Sequence, residues 1–379
     1  MATQVLDPRV SQGRRLLGQV DLLLVASTVV MSIIGVVMVY SATRSKLALS
    51  GLDPHYYLKR QAVYAVIGIA VMIIVLLVDY HRLEEWGFVA FGAVFVGLLA
   101  VLSPVGSSAL GSQRWFQLGP FQLQPSAFAS LLMIPFVAAY CHRGGEAMGP
   151  KRLVILLMLT GVPILLVARQ PDLGTAIIMG VILVSMLVVA GLRGRYLFGL
   201  LALAVVAVVG MVHFGVLQHY QVQRITGFLN QSNPGAAGTY NLTQSKIAIG
   251  GGSLFGHGLF HDPQTNLAFV PEQQTDFIFT AVGGQLGFVG AASVLALFGL
   301  ICQRIWRMAR TAKDDFGMLL CTGALALIGF SIFQNAGMTM GIMPITGIPL
   351  PFMSYGGSST ICFFAAVGLV LNVGMRRFR

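Results

Sequence analysis

Charged residues are scarce in this chain, and acidic residues are the scarcer of the two signs. Only 10% of the 379 residues are charged, whereas an ordinary soluble domain carries about 25%. Asp and Glu number 13 against 24 Lys and Arg, which leaves a formal net charge of +11. Hydrophobic residues make up 56% of the chain, and the mean hydropathy is +0.80. This composition excludes an ordinary soluble globular domain.

Cysteines and the familiar catalytic signatures are also missing or few. The four cysteines are scattered in or at the ends of apolar runs, without metal-ligand spacing: Cys141, Cys302, Cys321 and Cys362. They are predicted to be packing residues, with no disulfide framework and no metal site. The chain contains no GxSxG, no HExxH and no P-loop, so none of the chemistries that these motifs carry is indicated.

Long apolar runs are what the sequence has instead. We count ten, centred near residues 31, 70, 95, 134, 160, 182, 205, 289, 328 and 367. A spanning helix needs about 20 mostly apolar residues, whereas a β-barrel would show alternating segments of about 10 residues. We therefore predict an all-α polytopic membrane protein with ten transmembrane helices, forming a single domain over residues 1–379. The polar start, followed by a first run too long for a signal-peptide core, predicts that this run remains as an anchor.

The basic residues are distributed as in a membrane protein with a cytoplasmic N-terminus. With ten spans, both termini are cytoplasmic and 16 of the 24 basic residues fall inside. These are Arg9, Arg14, Arg15, Arg82, Arg143, Lys151, Arg152, Arg193, Arg195, Arg304, Arg307, Arg310, Lys313, Arg376, Arg377 and Arg379. This is the positive-inside pattern, although Arg44, Lys46, Lys59 and Arg60 in the first outer loop run against it. The net charge therefore requires no nucleic-acid partner.

Three outer segments have unusual compositions. They cover residues 106–126, about 215–275 between the seventh and eighth spans, and 341–359, and they are rich in Gly, Pro, Ser, Gln and aromatic residues. Such segments are typical of backbone that lies on or dips into the outer leaflet. The long loop is expected to contain a helix in NLTQSKIAIGGGSLFGHGLF. Its glycines beside Lys246 are either a phosphate cradle or a flexible turn followed by an interfacial helix.

Two carboxylates stand at the outer ends of spans, where charge is costly and a function is the first hypothesis. Asp172 opens the sixth span, and Pro171 with Arg169 explains it well as a helix-start residue. Asp276 opens the eighth span in PEQQTDFIF. The polar residues 272–275 before it exceed what a helix cap requires. The residues alone leave both a capping and a catalytic role open for Asp276.

Five separated motifs together resemble the SEDS family of RodA, FtsW and SpoVE. In chain order they are GSQRWFQLGPFQLQPS, RQPDLGTA, QSKIAIGGGSLFGHGL, FVPEQQTDFIF and PITGIPLPFMSYGGSS. The resemblance covers essentially the whole chain. It is strongest to RodA, because LKRQAVYAVIGIAVMIIVLLVDYHRL and RITGFLNQSNPGAAGTYNLTQSKIAIG resemble the RodA second span and long loop.

The resemblance implies a peptidoglycan glycosyltransferase that elongates glycan strands from lipid II at the outer face of the cytoplasmic membrane, in cell elongation and shape maintenance. It implies a class B penicillin-binding protein and other elongation-complex membrane proteins as partners. The family's essential aspartate matches Asp276, the expected catalytic base. Arg114 and Lys246 are candidates for stabilising the pyrophosphate, with a divalent cation, Mg²⁺ or Mn²⁺, as a candidate cofactor. The other substrate-binding candidates are Glu272, Thr275 and Ser354.

The chain departs from the family pattern at three positions. The fourth span of the family usually opens QPSE-x-x-K, whereas this chain has Ala127 and Ser130 in place of the acid and the lysine. Gln285 stands where the family commonly has an acid. Losing both members of a buried ion pair is compatible with an intact fold, but it puts in doubt what that pair contributes to activity or its regulation.

Two other functions compete with the polymerase. A transporter that flips lipid II would need a polar pathway through the bilayer, and charged residues are almost absent from the middles of the spans. A non-catalytic scaffold for a penicillin-binding protein would retain only the partner surface. Substitution of Asp276 separates these hypotheses, because only the polymerase requires this carboxylate.

Overall fold

The computed structural model describes residues 19–103, 107–109, 112–119, 121–144, 148–213, 219–231 and 239–377. Within these ranges the protein is mostly helical. The helices are α1 Leu22–Leu49, α2 Tyr56–Leu77, α3 His81–Val101, α4 Pro125–His142, α5 Pro150–Arg169, α6 Leu173–Val189, α7 Gly194–His213, α8 His219–Leu229, α9 Tyr240–Gly251, α10 Pro263–Asn266, α11 Ile278–Arg310, α12 Asp315–Met340 and α13 Gly357–Arg376.

The apolar runs of the sequence all form helices. Each of the ten predicted centres falls inside one of α1–α7 or α11–α13. Eight of these are long and apolar enough to cross a membrane, whereas α6 and the apolar part of α7, Gly194–Val206, are shorter. The protein is thus a multi-pass, predominantly helical membrane protein, as predicted, and the count of ten spans stays a prediction.

Helix α13 lies at the centre of the bundle. It packs against α2, α4, α11 and α12, and almost all of its side chains from Cys362 onward are buried. A helix that is apolar on all sides is stable only when neighbours surround it or lipid does. By contrast, only a minority of the residues of α3 and α5 are buried, as expected of helices with a lipid-facing side.

A small antiparallel sheet lies beside the helices of this predominantly helical protein. Strands β1 (Ser107–Ala109), β2 (Ser112–Leu118) and β3 (Phe121–Leu123) pair in the order β1-β2-β3. Phe116 opposes Leu123, and Leu118 opposes Phe121 across the turn that contains Gly119. The turn residues Gly-Pro between aromatic and apolar residues favour a hairpin. The sequence analysis treated this outer segment only as a loop.

Helix α11 is broken at Gly287, and the long loop forms hydrogen bonds with the backbone groups on both sides of the break. Gly287 has φ 65° and ψ −162°, a conformation open essentially only to glycine. The carbonyls of Gly284 and Gln285 accept hydrogen bonds from the amides of His257 (3.1 Å) and Gly258 (3.0 Å). Beyond the break, the amides of Phe288 and Val289 donate to the carbonyls of residues 253 and 254 at 2.9 and 3.0 Å. Because buried backbone in a membrane protein must be paired within the protein, this join fixes the long loop against the first arm of α11, residues 278–286.

Substitution of Gly287 by Ala is expected to destabilise the protein by roughly 2–3 kcal/mol or more, since the backbone conformation excludes a side chain and an added Cβ would lie 2.3 Å from the Gly256 amide nitrogen. Thermal unfolding in detergent measures this loss. Gly299→Ala in the second arm is the matched control, because nothing lies within 4 Å of its added Cβ. Equal melting temperatures for the two variants would contradict the assignment of Gly287 as the required hinge.

Candidate active site

Asp276 lies in the turn that leads into α11. Its amide donates to the carbonyl of Glu272 (3.1 Å), and the next residue, Phe277, is buried. Asp276 itself is partly exposed. This arrangement anchors the turn through the buried Phe277 and leaves the Asp276 carboxylate at the end of the bundle where α11 begins, here called the opening.

The segment 344–356, here called the PITG segment, covers the other side of Asp276. The side-chain amide of Asn335 on α12 donates to the carbonyls of Asp276 (2.8 Å) and Ile348 (2.7 Å). Gln334 donates to the carbonyl of Pro344 at 2.8 Å. Two neighbouring amides of α12 therefore fix the position of the segment, and one of them also holds the backbone of Asp276.

Ser354 has a structural position in the PITG segment, and its role in substrate binding stays a prediction. It is only 2% exposed, and its hydroxyl accepts a hydrogen bond from the amide of Leu350 at 2.8 Å. Its carbonyl accepts from the side chain of Gln61 on α2 at 3.1 Å. The next amide, of Tyr355, donates to the carbonyl of Gln274 (2.8 Å). Ser354 thus shapes the PITG segment and ties it to the turn that bears Asp276.

Arg224 on α8 is the cation that acts most strongly on Asp276. A Cβ added to Gly347 would lie 3.3 Å from Asp276 Oδ2 and 3.9 Å from an Arg224 guanidinium nitrogen, so both groups approach the same glycine. Burial raises the pKa of the Asp276 carboxyl to about 6; Arg224 opposes this rise and Glu272 adds to it. The carboxylate is therefore poised to exchange a proton close to neutral pH.

The sequence analysis missed Arg224, although a signal was present. Residues 215–275 contain only two basic residues, Arg224 and Lys246. Lys246 is a candidate for binding the pyrophosphate because it lies beside a run of glycines. In a long outer loop with so few cations each one is a candidate for binding an anion, so the sequence indicates Arg224 as much as Lys246.

Arg114 on β2 reaches the same region but is engaged by the backbone. Its guanidinium donates to the carbonyls of Gln170 (2.8 Å) and Pro171. It also lowers the pKa of Asp276, though less than Arg224 does. Arg114 thus places a positive charge near Asp276 while holding the turn between α5 and α6 in position.

Asp172 is a structural cap, in agreement with the interpretation favoured from sequence. One of its oxygens accepts from the amide of Thr175 (3.2 Å) at the start of α6. The other accepts from Gln124 (3.0 Å), Ser126 (2.9 Å) and the Thr175 hydroxyl (2.9 Å). A carboxylate with four donors has its hydrogen-bonding capacity filled, so Asp172 joins α4 to α6 as a structural residue.

The remaining predicted residues lie around the opening in different ways. Glu272 is exposed, with φ 49°, and accepts a hydrogen bond from Gln274 at 3.2 Å. The Thr275 hydroxyl donates to the Glu272 carbonyl at 3.1 Å. Lys246 is exposed on α9 and donates to Gln231 at 3.2 Å. Glu272 and Thr275 share the turn of Asp276, whereas Lys246 is not among the charges that act most strongly on it.

The predicted helix of the long loop is present as α9, but its glycines form contacts within the protein. A Cβ on Gly252 would lie 2.1 Å from the carbonyl oxygen of Gly283 on α11. The amides of His257 and Gly258 are already donated to α11. Gly252 is thus needed for close packing against α11, which replaces the phosphate-cradle hypothesis for this part of the loop.

Gln285 and Ser130 form uncharged hydrogen bonds at two positions where the chain departs from the family pattern. The side-chain oxygen of Gln285 accepts from the Ser41 hydroxyl (2.7 Å) and the Phe260 amide (3.1 Å), which joins α1 to the long loop. The buried Ser130 donates to the carbonyl of Ala127 at 2.7 Å. Neither departure from the family pattern therefore leaves an uncompensated charge.

A divalent cation was tested against the donor set at the opening. The described part of the chain contains no group of three His, Cys, Asp or Glu side chains suited to a metal. Glu272 and Asp276 supply two carboxylates in one turn. Mg²⁺ is often held by one or two carboxylates together with substrate phosphates and water, so this pair fits a cation that arrives with a pyrophosphate.

A protein-family model supports this picture over nearly the whole chain. The model for FtsW, RodA and SpoVE, described as "Cell cycle protein", matches residues 21–378. The motif regions around Asp276, the PITG segment and the hairpin all fall inside that match.

Similar proteins are known by sequence and by structure. The chain is 36% identical over 360 residues to the probable peptidoglycan glycosyltransferase FtsW of Geobacter sp. (strain M18), covering 94% of this chain and 97% of the relative. It is 36% identical over 312 residues to the peptidoglycan glycosyltransferase MrdB of Escherichia coli (strain K12), covering 82% and 83%.

Two solved structures share the fold at 28% identity. One belongs to a study of polymerisation and crosslinking by a peptidoglycan synthase complex, with a TM-score of 0.78 and coverage of 95% of this chain and 99% of that chain. The other is the rod shape determining protein RodA of Thermus thermophilus, with a TM-score of 0.70 and coverage of 95% and 98%. With the family model matching residues 21–378, the chain belongs to the FtsW/RodA/SpoVE family of multi-pass membrane proteins.

Proposed function

We propose that this protein is a peptidoglycan glycosyltransferase that elongates glycan strands from lipid II, with Asp276 as its general base. The observation that carries the proposal is a partly exposed carboxylate at the outer opening of the bundle, with a pKa raised to about 6 and an arginine beside it. A general base works best when its pKa lies near the working pH. The names of the relatives support the same class of reaction.

In this mechanism Asp276 removes the proton from the 4-hydroxyl of the acceptor GlcNAc as that oxygen attacks the anomeric carbon of the donor. The bond between the anomeric carbon and the pyrophosphate oxygen breaks, and undecaprenyl pyrophosphate leaves with the bonding electrons. Asp276 then returns its proton to water. The polyprenyl tail of the substrate remains in the bilayer, which explains why the base belongs at the end of a span.

Cations at the opening stabilise the leaving group. Arg224 is the best placed by geometry, because it approaches Gly347 together with Asp276. Arg114 contributes from β2, where it also donates to the carbonyl of Gln170, and Lys246 contributes from α9. Fixed positive charges where negative charge develops are usually the largest single contribution to such catalysis. A divalent cation held by Glu272 and Asp276 would neutralise further charge on the pyrophosphate.

The location, the partners and the cellular role that we propose follow from the same resemblance. We place the active face outside the cytoplasmic (inner) membrane, with a class B penicillin-binding protein and other elongation-complex membrane proteins as partners. The neighbour associated with both polymerisation and crosslinking supports this pairing. A role in elongation follows from the likeness to RodA; relatives named FtsW, stage V sporulation protein E and MrdB share the same 36% identity.

The alternatives fit the structure less well. Among the described residues, the buried charged residues are Asp21, Asp172, Asp262 and Arg376. Three of these cap helices and the fourth ends α13, so none of them forms a charged path through the middle of a span. A lipid II flippase would be expected to have one. A scaffold would not need the raised pKa of Asp276.

Asp276→Asn is expected to abolish glycan polymerisation from purified lipid II, with at least a hundredfold loss, because general-base catalysis contributes about 10²–10⁴-fold. Polymerisation is measured with and without the cognate penicillin-binding partner. The fold should persist, since the backbone carbonyl of Asp276 still accepts from Asn335.

Stability and a second aspartate provide the controls for this variant. Because the folded-state pKa is raised, the stability that Asp276 contributes is present at low pH and is lost as pH rises through about 6. The asparagine variant should therefore be at least as stable as wild type at neutral pH. Asp53→Asn, an exposed acid of the connection between α1 and α2, should polymerise normally. Polymerisation by a well-folded Asp276→Asn variant would refute the assignment of the base.

The pH dependence of kcat/KM should show an acid limb with a midpoint near pH 6, because only the ionised carboxylate accepts a proton. Arg224→Gln should move this midpoint to higher pH, since the arginine lowers the pKa of Asp276. Lys246→Gln, which removes the other cation of the long loop, should leave the midpoint in place even if it lowers the rate. The proposed electrostatics would be contradicted if Arg224→Gln left the pH midpoint unchanged, or if Lys246→Gln shifted it by the same amount.

A further inference from the structure

A second polar site lies at the opposite end of α11 from Asp276. An open cleft of about 440 Å³ separates the start of α1 from the last turns of α11 and the end of α13. Asp21, Leu22 and Leu23 line one wall, and Arg304, Arg307 and Arg377 line the other. None of these residues takes part in the proposed polymerase chemistry.

One of the three arginines has a structural partner. The Arg304 guanidinium donates to Asp21 Oδ2 at 2.9 Å, and the other oxygen of Asp21 accepts from the amide of Leu24 (3.0 Å) at the start of α1. Asp21 is buried, so this pair fixes the wall of the cleft. Three arginines against one carboxylate leave the cleft with a positive charge, and Arg307 is exposed within it.

The surroundings of the cleft indicate the depth at which it lies in the membrane. Trp306, next to Arg307, has 54% of its surface exposed, and Leu22 and Leu23 are 75% and 48% exposed. Exposed tryptophans at the end of a spanning helix are typical of the membrane–water interface. The cleft therefore combines arginines at the level of the lipid headgroups with two leucines that point toward acyl chains.

We propose that this cleft is a binding site for an anionic phospholipid, whose phosphate contacts Arg307 and Arg377 while its acyl chains lie on Leu22 and Leu23. The combination of charge and exposed apolar surface favours a lipid over a soluble phosphate, which would use only the arginines. The chain that precedes the cleft does not complement its charge, because residues 1–18 carry Arg9, Arg14 and Arg15 against a single acid, Asp7. The site is independent of the polymerase reaction.

The test uses the full-length protein, purified in a neutral detergent and titrated with phosphatidylglycerol or with phosphatidylcholine. Bound lipid is counted by native mass spectrometry, and the melting temperature is followed in parallel. Wild type should retain phosphatidylglycerol and gain thermal stability from it, and it should retain phosphatidylcholine much less.

Arginine variants define the site. Arg307→Gln should weaken phosphatidylglycerol binding roughly fivefold, and the double variant with Arg377→Gln roughly 25-fold, given the usual contribution of a basic residue at an anionic surface. Arg304 is left unchanged, because its removal would leave Asp21 buried without a counter-charge. Arg310→Gln is the matched control: it is exposed at the end of the same helix and does not line the cleft.

Several outcomes would overturn the proposal. Equal weakening by Arg310→Gln would show a diffuse attraction of the whole basic face. Equal retention of phosphatidylcholine would remove the role of headgroup charge. Displacement of the lipid by millimolar inorganic phosphate or glycerol phosphate would identify a soluble anion as the occupant. The melting temperatures without lipid check that the variants are folded, and Arg307→Gln alone suffices if the double variant is not.

Discussion

The hydrogen-bonded join between the long loop and the break in α11 is the constraint on which the outer face depends. A helix broken inside a membrane protein releases backbone donors and acceptors that lipid cannot satisfy. Here residues 253–258 supply partners on both sides of Gly287. The loop is thereby held against the first arm of α11, and that arm begins directly after Asp276. Asp276 is therefore positioned by backbone hydrogen bonds, and these bonds do not depend on its own side chain.

The electrostatics of Asp276 result from two opposing effects at that position. Burial by the PITG segment and the α11 turn raises the pKa of the carboxyl, and Arg224 limits the rise. Without the arginine, the acid would hold its proton to higher pH, and a smaller fraction of it would be ionised at neutral pH. Without the burial, it would be an ordinary carboxylate with little affinity for the proton of a sugar hydroxyl. The two elements that produce this balance, α8 and the PITG segment, are far apart in sequence and approach each other at Gly347.

Much of the fold and part of the site could be predicted from the sequence. Apolar runs identify the long helices because spanning segments are defined by length and composition alone, and the polar cluster before Asp276 drew attention to it. The hairpin was missed because strands of three to seven residues leave little periodicity. The surroundings of Arg224 and Ser354 could not be predicted for a different reason: they depend on which groups each residue meets in the folded chain. Ser354 faces the backbone of its own segment, whereas Arg224 meets a carboxylate more than fifty positions away.

The missing acid–lysine pair of α4 bears on where activity can come from in this chain. If the chain had lost only one of the two charged residues, the remaining one would be buried and unpaired, at a cost of about 3–5 kcal/mol. Instead Ser130 closes a local hydrogen bond to the carbonyl of Ala127, and the packing of α4 against α12 and α13 needs no ion pair. Nearby, Ser126 and Gln124 still hold Asp172, so the junction between α4 and α6 that supports Arg114 is retained. In the proposed mechanism the charges for sugar transfer come from Asp276, Glu272 and Arg224, so the loss of the pair in α4 would leave the proposed base in place.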